Sequence, residues 1–261
     1  MASTRPSGSG AWVEIVVPAR NEEGRLPRGL DALCRKAAAL PLPITILVAD
    51  SASTDTTAAI VSGWPAGPVP VRLLRCDRPG KGYAVRAGLL ATQAPFVGYC
   101  DADMATDLGA LDVALALLTT GSQIVIGSRA LAESVVEARH HVTRRLGAAV
   151  FRALARRVVP EATDTQCGFK FFSGPVARAA ALPLRTTGFA FDIELIANCQ
   201  RLGATLSEIP VNWHDVPGSR FSVPRDSAAA FRDVAVIWRR QRGGQDDVSV
   251  AQPVPALVTS T

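Results

Sequence analysis

Short apolar segments alternate with helix-length stretches throughout the first half of this chain. The apolar segments are Val13–Val17, Ile44–Ala49, Val71–Cys76, Phe96–Cys100 and Gln123–Ile126. The stretches between them have the length and spacing of helices and are Glu22–Leu40, Asp55–Ser62, Lys81–Thr92 and Leu108–Leu118. Because strand, helix and strand in succession form a βαβ unit, this alternation predicts an α/β fold with a mostly parallel sheet.

The pattern changes after Arg129. We predict a helix at Val142–Val158, a strand at Phe169–Phe172, a helix at Asp192–Leu202, a strand at Leu206–Trp213 and a final helix from about Arg225 to Arg240. With 261 residues, 48% of them hydrophobic, the chain suits one domain with an elaborated second half. The prediction is a single domain over residues 12–242, made of halves 12–128 and 129–242, between disordered tails at 1–11 and 243–261.

The net charge of +5, with much of the excess arginine in the second half, predicts an anionic partner. Nucleic acid fits poorly, because the sequence has no helix-turn-helix, zinc or RNP-type pattern and aromatic residues make up only 6% of it. Phosphorylated substrates or an anionic membrane fit better. Since no apolar run approaches the ~20 residues that span a bilayer, we expect a cytoplasmic protein, with peripheral contact to the inner face of the membrane as an open alternative.

Four polar clusters follow the predicted strands at the point where each strand ends. They are Pro18-Ala19-Arg20-Asn21-Glu22-Glu23, Asp50-Ser51, Gly80-Lys81-Gly82 and Asp101-Ala102-Asp103. In an open α/β sheet, ligands bind in the crevice beyond the carboxyl ends of the strands. The clusters therefore predict a binding site at this edge of the sheet.

Asp101 and Asp103 form a D-x-D pair of hard carboxylates, which suits Mg²⁺ or Mn²⁺ that also touches phosphate oxygens. The pair is a weak signal alone, because it also occurs in ordinary turns, and its company at the strand ends strengthens it. Lys81 lies between two glycines before a helix and either contacts a phosphate or is solvated in a glycine-rich turn. The absence of P-loop and G-x-G-x-x-G patterns argues against an NTPase and against a dinucleotide oxidoreductase.

A longer series of motifs resembles family 2 glycosyltransferases, and most closely their dolichyl-phosphate β-glucosyltransferase branch. The motifs span Val13 to Phe231 and are VVPARNEE, ILVADSASTD, GKGYAVRAG, DADMAT, GSR, DTQCGFKFF, FAFDIEL and IPVNWHDVPGSRFS. The resemblance implies a GT-A fold, a nucleotide-diphosphate sugar donor held against the first strands, a divalent cation (Mg²⁺ or Mn²⁺), and inversion at the anomeric carbon.

The resemblance also implies roles for individual residues on the donor side. Pro18, Arg20, Glu22 and Asp50 would line the base and ribose, while Asp101 and Asp103 would hold metal and diphosphate. The predicted nucleotide-sugar site is completed by neighbours in the same clusters: Ala19, Asn21, Ser51, Lys81 and Ala102. The family pattern V-D-D-G-S-T-D is altered here, because Ser51 replaces the second Asp and Ala52 replaces the Gly.

On the acceptor side, Asp164 matches the family position expected beside the acceptor. It would be a general base or an orienting group for Lys170 or an arginine, with turn capping as the structural alternative. Glu194 is a second catalytic candidate, although it could simply open a helix. The predicted acceptor-binding residues are Arg129, Arg145, Gln166 and Lys170. For Arg129, the alternative is pairing with a nearby acid that braces the turn.

Two arginine-rich helices raise the question of membrane contact. Val142, Leu146, Val150 and Ala153 are predicted to share one face of the first helix and Arg145, Arg152 and Arg156 another; the last helix groups Phe231, Val234, Ala235 and Trp238. Such helices either lie on anionic lipid or pack an apolar face on the core. We expect hexose transfer, specifically glucose from UDP-glucose, to a polyprenyl or dolichyl phosphate. The alternatives are a small soluble acceptor or a non-catalytic nucleotide-sugar sensor.

Overall fold

The computed structural model describes residues 11–137, 142–216 and 223–243, and for 142–149, 223–228 and 242–243 it describes the backbone course alone. The elements of the first half are β1 (Val13–Ala19), α1 (Leu26–Ala38), β2 (Ile44–Ser51), α2 (Thr57–Ser62), β3 (Val71–Cys76), α3 (Lys81–Ala91), β4 (Phe96–Cys100), α4 (Ala110–Thr119) and β5 (Ile124–Ser128). Those of the second half are β6 (Val135–Glu137), α5 (Val142–Val158), β7 (Phe169–Ser173), α6 (Gly174–Ala181), α7 (Phe191–Arg201), β8 (Leu206–Pro210), β9 (Asn212–His214) and α8 (Val223–Gly243). The predicted tails at 1–11 and 243–261 fall almost entirely outside the described residues.

Seven strands form one sheet in the order β3-β2-β1-β4-β7-β5-β8. The first four strands of that order pair in parallel, β7 is antiparallel to both of its neighbours, and β8 is parallel to β5. Strands β1 and β2 are buried along their whole length, as in a sheet covered by helices on both faces. The predicted α/β fold with a mostly parallel sheet is confirmed.

The sheet separates two hydrophobic clusters. Val13, Ile15 and Val17 of β1 point into the cluster shared with α1 and α4, whereas Val16 points into the cluster shared with α3, α5, α6, α7 and α8. This alternation follows from the two-residue period of a strand. The short parallel pair β6–β9 forms a separate two-stranded sheet. It borders the D-x-D segment through a bridge between Thr106 and Trp213.

Two boundaries differ from the predictions for identifiable reasons. Helix α1 begins at Leu26 rather than Glu22, because the Glu22 carbonyl accepts the N–H groups of Arg25 and Leu26 in a turn that precedes the helix. The predicted strand Leu206–Trp213 is two strands, since the chain leaves the main sheet after Pro210 to pair with β6. Strand β6 and helix α6 were not predicted. Asp55 stabilises the start of α2, because its carboxylate accepts the Thr57 N–H at 2.9 Å.

Of the apolar face predicted for α5, the two residues with described side chains, Val150 and Ala153, are exposed, so the core-packing alternative does not hold for them. Val150 is 48% exposed, whereas Ala155 and Val158 are buried and pack in the core together with Phe151 and Leu154. The helix is rotated in this way because the Phe151 ring packs edge-on against the ring of Phe231 in α8, with centroids 5.6 Å apart. The described part of α5 therefore presents arginines and some apolar groups together to solvent.

Ala52 carries backbone strain that a single substitution should release. Its φ is 52°, in the left-handed region, where a Cβ costs ~1–2 kcal/mol. Ala52→Gly is therefore expected to stabilise the protein by about 0.5–1 kcal/mol, after allowing for the greater freedom of glycine in the unfolded chain. Urea unfolding measures the change. Ala49→Gly, at a fully buried position in β2, is the matched control and should lose stability; a loss for Ala52→Gly as well would refute the strain argument.

Candidate active site

The strand-end clusters meet around the D-x-D turn that follows β4. Lys81 Nζ, at the start of α3, lies 2.6 Å from Asp101 Oδ1, and Arg25 Nη1, just before α1, lies 3.8 Å from Asp103 Oδ2. Both carboxylates are partly exposed, at 33% and 23% of their side-chain surface. The turn is thus open to a ligand while its negative charges face two cationic side chains.

Two glycines allow neighbouring segments to pack closely against the D-x-D turn. A Cβ at Gly168 would lie 2.0 Å from Asp101 Oδ2, and one at Gly29 would lie 2.6 Å from the carbonyl oxygen of Ala102. The Asp101 N–H also donates to the Gly168 carbonyl at 3.0 Å. No side chain fits at either glycine, so β7 and α1 can approach the turn from two sides and fix the direction of Asp101.

The two carboxylates repel each other. Burial and the charge of Asp101 raise the pKa of Asp103, against the opposing effects of the Ala105 N–H, Arg25 and Lys81. Burial works to lower the pKa of Lys81, but Asp101 and Asp192 outweigh it and the pKa is raised. A divalent cation would relieve the repulsion between the two aspartates.

The residues fit a cation that is shared with a ligand. No group of three or more His, Cys, Asp or Glu within the described ranges is placed to hold a metal ion. Asp101 and Asp103 would therefore bind the cation without a third His, Cys, Asp or Glu from the described residues, and phosphate oxygens and water would complete its coordination. Mg²⁺ is commonly bound in this way, through one or two carboxylates plus substrate phosphates.

Asp50, at the end of β2, is the most unusual donor-side residue. It is 1% exposed, and its Oδ1 has no hydrogen-bond partner among the described residues. Buried polar atoms are nearly always paired, so an unpaired carboxylate oxygen at the carboxyl end of a strand suits a ligand N–H group. This placement agrees with the prediction that Asp50 contacts the base, which itself remains a prediction.

The other donor-side residues from the first cluster build the wall of the crevice. The Asn21 N–H donates to Ser53 Oγ at 2.8 Å and the Asn21 side chain accepts the Thr54 N–H at 2.7 Å, which joins the loops after β1 and β2. Glu22 binds both Nε and Nη2 of Arg25, at 2.7 and 2.6 Å. The other residues of the predicted nucleotide-sugar site have the following positions. Pro18 and Ala19 are buried in β1, Ala102 is buried in the D-x-D turn, and Arg20 is exposed.

Ser51 has a role that the sequence did not predict. Its side chain is buried, at 2% exposed. The Ser51 Oγ accepts the Gly80 N–H at 2.8 Å, and the Ser51 hydroxyl donates to the Arg78 carbonyl at 3.0 Å. On the other side, the Gly82 N–H donates to the Thr187 carbonyl at 2.9 Å. The residue that replaces the family aspartate therefore fixes the loop that carries Lys81.

Asp164 and Arg129 form a two-pronged ion pair. Arg129 Nε and Nη2 lie 2.7 and 3.0 Å from the two carboxylate oxygens, and the Arg129 N–H donates to Asp164 at 3.0 Å. Burial acts to raise the pKa of Asp164, but the charge and hydrogen bonds of Arg129 lower it to about 2. Asp164 is therefore a very weak base, and its geometry matches the predicted alternative of an orienting group for an arginine.

The pair with Asp164 uses Nε and Nη2 of the Arg129 guanidinium and leaves Nη1 unused. This Nη1 forms no hydrogen bond with a residue that the structure describes, and the guanidinium carbon lies 5.7 Å from the centre of the Trp213 ring. Gln166 is half-buried, and its N–H donates to Asp164 Oδ1 at 3.0 Å. Arg145 lies in α5, but its side chain is outside the described set, so its predicted acceptor contact stays a prediction.

Lys170, which was predicted to bind the acceptor, makes only internal contacts among the described residues. Lys170 is fully buried in β7, where its Nζ donates to Asp192 Oδ1 at 2.6 Å and to the Cys167 carbonyl at 2.5 Å, so direct contact with an acceptor does not fit this placement. The Tyr99 hydroxyl donates to the same Asp192 carboxylate. This buried trio joins β4, β7 and α7, and its Tyr99 lies two residues before Asp101.

Glu194 is also a support. It accepts the Arg185 and Thr186 N–H groups at 3.2 and 2.8 Å and is 7% exposed. A Cβ at Gly82 would lie 2.5 Å from the Thr186 carbonyl oxygen, so the segment that Glu194 holds packs directly on the Lys81 loop. Its placement does not fit the predicted catalytic contact, because both carboxylate oxygens are committed to backbone N–H groups.

An open, mostly parallel sheet whose carboxyl edge carries a D-x-D turn and an antiparallel strand beside it defines the GT-A class of fold. Residues 14–175 match the model of the Glycosyl transferase family 2. The chain belongs to that family.

Curated relatives extend the similarity beyond these residues. The chain is 34% identical over 243 residues to the dolichyl-phosphate beta-glucosyltransferase of Drosophila melanogaster, covering 87% of this chain and 74% of that one. It is 29% identical over 250 residues to the Saccharomyces cerevisiae protein of the same name, with coverage of 87% and 74%. The human protein of that name is 31% identical over 223 residues, covering 80% of this chain and 69% of its own length.

Solved structures of other proteins share the fold. Mannosyl-3-phosphoglycerate synthase from Rubrobacter xylanophilus superposes with a TM-score of 0.68 at 21% identity, covering 93% of this chain and 79% of that one. Glucosyl-3-phosphoglycerate synthase from Mycobacterium tuberculosis, in complex with Mn²⁺, UDP-glucose and phosphoglyceric acid, gives 0.62 at 22% identity, covering 92% and 82%. At these identities the likeness concerns the fold, and it confirms the GT-A prediction.

Proposed function

We propose that this chain transfers glucose from UDP-glucose to dolichyl phosphate or another polyprenyl phosphate, with inversion at the anomeric carbon. The observation that carries the proposal is identity of about 30% to dolichyl-phosphate beta-glucosyltransferases over most of the chain. The Arg129–Asp164 ion pair of this chain provides a group that could hold an acceptor phosphate. The small soluble acceptor is not favoured, since these relatives are named for a lipid phosphate.

The donor would lie along the carboxyl ends of β1, β2 and β4. Asp50, with its unpaired buried oxygen, faces the base, and Lys81 at the start of α3 faces the diphosphate. Asp101 and Asp103 would hold Mg²⁺ or Mn²⁺, which neutralises the negative charge that develops on the departing nucleoside diphosphate. Arg25, next to Asp103, would help to keep this carboxylate in position.

The acceptor phosphate would be held by Arg129. A phosphate monoester is already mostly ionised near neutral pH, so the enzyme has to hold and aim its oxygen rather than remove a proton. Asp164 fixes the guanidinium by two hydrogen bonds and leaves Nη1 for the phosphate. Attack by a phosphate oxygen on C1, with departure of UDP from the opposite side, forms one bond, breaks one bond and inverts the anomer. The low pKa of Asp164 is compatible with this chemistry because no general base is required.

Contact with an anionic membrane surface belongs to the same proposal. Helix α5 contains five arginines and no acid, and α8 contains five arginines and two aspartates, so the two helices carry +8 while the whole chain carries +5. Arg152, Arg156 and Arg157 are exposed beside Val150. Within the described ranges, every helix is too short or too polar to span a bilayer. A basic surface with apolar groups suits attachment to anionic headgroups.

Purified protein, radiolabelled UDP-glucose, polyprenyl phosphate and Mg²⁺ or Mn²⁺ provide the direct test. The expected result is a glucosyl lipid that carries one phosphate, with GDP-sugars acting poorly as donors. Flotation with vesicles tests membrane contact separately, and binding should be stronger to anionic than to zwitterionic lipid and should weaken with added salt. Transfer to soluble acceptors alone would refute the lipid-phosphate assignment.

A further inference from the structure

The D-x-D turn has cationic partners at both carboxylates. Lys81 Nζ is 2.6 Å from Asp101 Oδ1, and Arg25 Nη1 is 3.8 Å from Asp103 Oδ2. Because an ammonium ion at this distance repels a divalent cation strongly, Lys81 and the metal cannot both occupy the space next to this oxygen. Lys81 therefore competes with the cation that the D-x-D turn would bind.

The two cationic side chains are held very differently. Arg25 is fixed by the double hydrogen bond to Glu22, at 2.7 and 2.6 Å. The backbone around Lys81 is also fixed, through the Gly80 and Gly82 N–H groups. The Lys81 ammonium, however, makes no other ion pair with a described residue, and it is carried by a flexible four-carbon stem. It can leave Asp101 without any movement of the loop.

We propose that Lys81 is an exchangeable counter-ion that makes metal binding depend on the donor. Without donor it neutralises Asp101 and weakens the binding of a free divalent cation. When a nucleoside diphosphate arrives, the ammonium moves to a phosphate oxygen, and Asp101 becomes available to the cation. The inference rests on the proposed function, since it takes a metal–diphosphate donor as the ligand.

Two further observations support this order of events. The described residues offer two carboxylates and no third His, Cys, Asp or Glu, so the protein alone is a poor metal site that a diphosphate would complete. Lys81 also opens helix α3, and the positive end of a helix dipole at its N-terminus favours an anion such as a diphosphate. By thermodynamic linkage, the nucleotide must strengthen metal binding by the same factor by which the metal strengthens nucleotide binding.

Mn²⁺ binding, measured by electron paramagnetic resonance with and without UDP, tests the proposal without any turnover. The wild type is expected to bind Mn²⁺ at least ~30-fold more tightly with UDP. Lys81→Gln should bind Mn²⁺ about tenfold more tightly than the wild type when UDP is absent, because the competing charge is gone. Lys81→Arg keeps the charge and should bind as weakly as the wild type.

Lys36→Gln is the matched control. It also removes one lysine charge from an ion pair, that with Asp112, but it lies two helical turns beyond Gly29 on α1, and it should leave Mn²⁺ binding unchanged. Wild-type Mn²⁺ affinity of Lys81→Gln without UDP would overturn the inference and leave the proposed function standing, provided that Asp101→Asn abolishes the binding of Mn²⁺ with UDP. Retention of that binding by Asp101→Asn would overturn the inference and the D-x-D metal assignment together.

Discussion

Replacing Asp103 with alanine is expected to lower kcat about a thousandfold while the protein stays folded. The carboxylate is one of the two that would hold the cation, so its loss should leave the charge of the departing diphosphate uncompensated. Its structural contribution is small, because the side chain accepts a single backbone N–H, that of Ala105 at 3.2 Å. Steady-state transfer and the melting temperature are the two measurements.

The raised pKa of Asp103 also predicts the effect of its replacement on stability. A carboxyl group whose pKa is higher in the folded than in the unfolded protein destabilises the fold at neutral pH, since the charged form is the disfavoured one. Asp103→Asn should therefore melt at the same temperature as the wild type or higher, and still lose activity. Loss of activity with gain of stability is typical of a functional carboxylate held against like charge.

Asp107→Ala is the matched control for this prediction. Asp107 lies four residues further along the same segment, and it too accepts one backbone N–H, from Gly109 at 2.8 Å near the start of α4. Its replacement should remove one side-chain hydrogen bond worth ~1 kcal/mol and leave kcat close to that of the wild type. An Asp103→Ala enzyme with a tenth or more of wild-type turnover would contradict the metal assignment.

The outline of the fold could be predicted from the sequence because each strand or helix shows its own periodicity. The bounds of β3, β4 and α5 agree with the predictions to the residue, and the strand-end clusters around Asp101 and Lys81 do meet. Parallel strands whose carboxyl ends share one edge make that meeting a consequence of topology. Local sequence patterns were therefore sufficient to predict which clusters meet, because the topology of the sheet alone brings these clusters together.

The direction in which a polar side chain points was harder to predict. Lys170 was expected at the acceptor, yet β7 lies between β4 and β5, where both faces of a strand are buried and the ammonium must find an internal partner. A signal was present, since Lys170 stands alone between phenylalanines in Phe169–Ser173, the composition of a central strand. The partner, Asp192, comes from α7, and no local pattern joins the two.

Arg25 was missed for a different reason. The sequence places it three residues after Glu22, a spacing at which a salt bridge is ordinary, and nothing in that spacing indicates Asp103 as a second neighbour. The close approach depends on Gly29, which lets α1 touch the carbonyl of Ala102. The position of α1 against the D-x-D turn is a property of packing, and it becomes visible only in three dimensions.

Asp164→Asn is the second substitution with a large expected effect, and it acts through Arg129. The ion pair lowers the pKa of Asp164 from its usual 3.8 to about 2, so it stabilises the fold fully above about pH 4 and this contribution is lost as the pH falls towards 2. The shift corresponds to ~2 kcal/mol at neutral pH. The difference in free energy of unfolding between wild type and Asp164→Asn should therefore shrink as the pH is lowered through this range.

Glu208→Gln is the control for the stability effect. Glu208 accepts the N–H groups of Thr163 and Asp164, at 2.9 and 3.1 Å, and so braces the same turn without touching Arg129. Its replacement should reduce the free energy of unfolding and spare turnover. If Asp164 only braced the turn, the two variants would behave alike in every assay.

The kinetic effect of Asp164→Asn should fall on the acceptor. Without the carboxylate, Arg129 loses its fixed direction, and we expect kcat to fall about a hundredfold while UDP binding, measured by calorimetry, hardly changes. Arg129→Lys should raise the KM for polyprenyl phosphate about tenfold and also slow turnover, because lysine supplies charge without the two-pronged geometry. The double variant should be little worse than Asp164→Asn alone, since both changes disable the same phosphate contact. Additive losses, or an equal loss of UDP affinity, would mean that the pair does not hold the acceptor phosphate, and the lipid-phosphate acceptor would then lose its structural support.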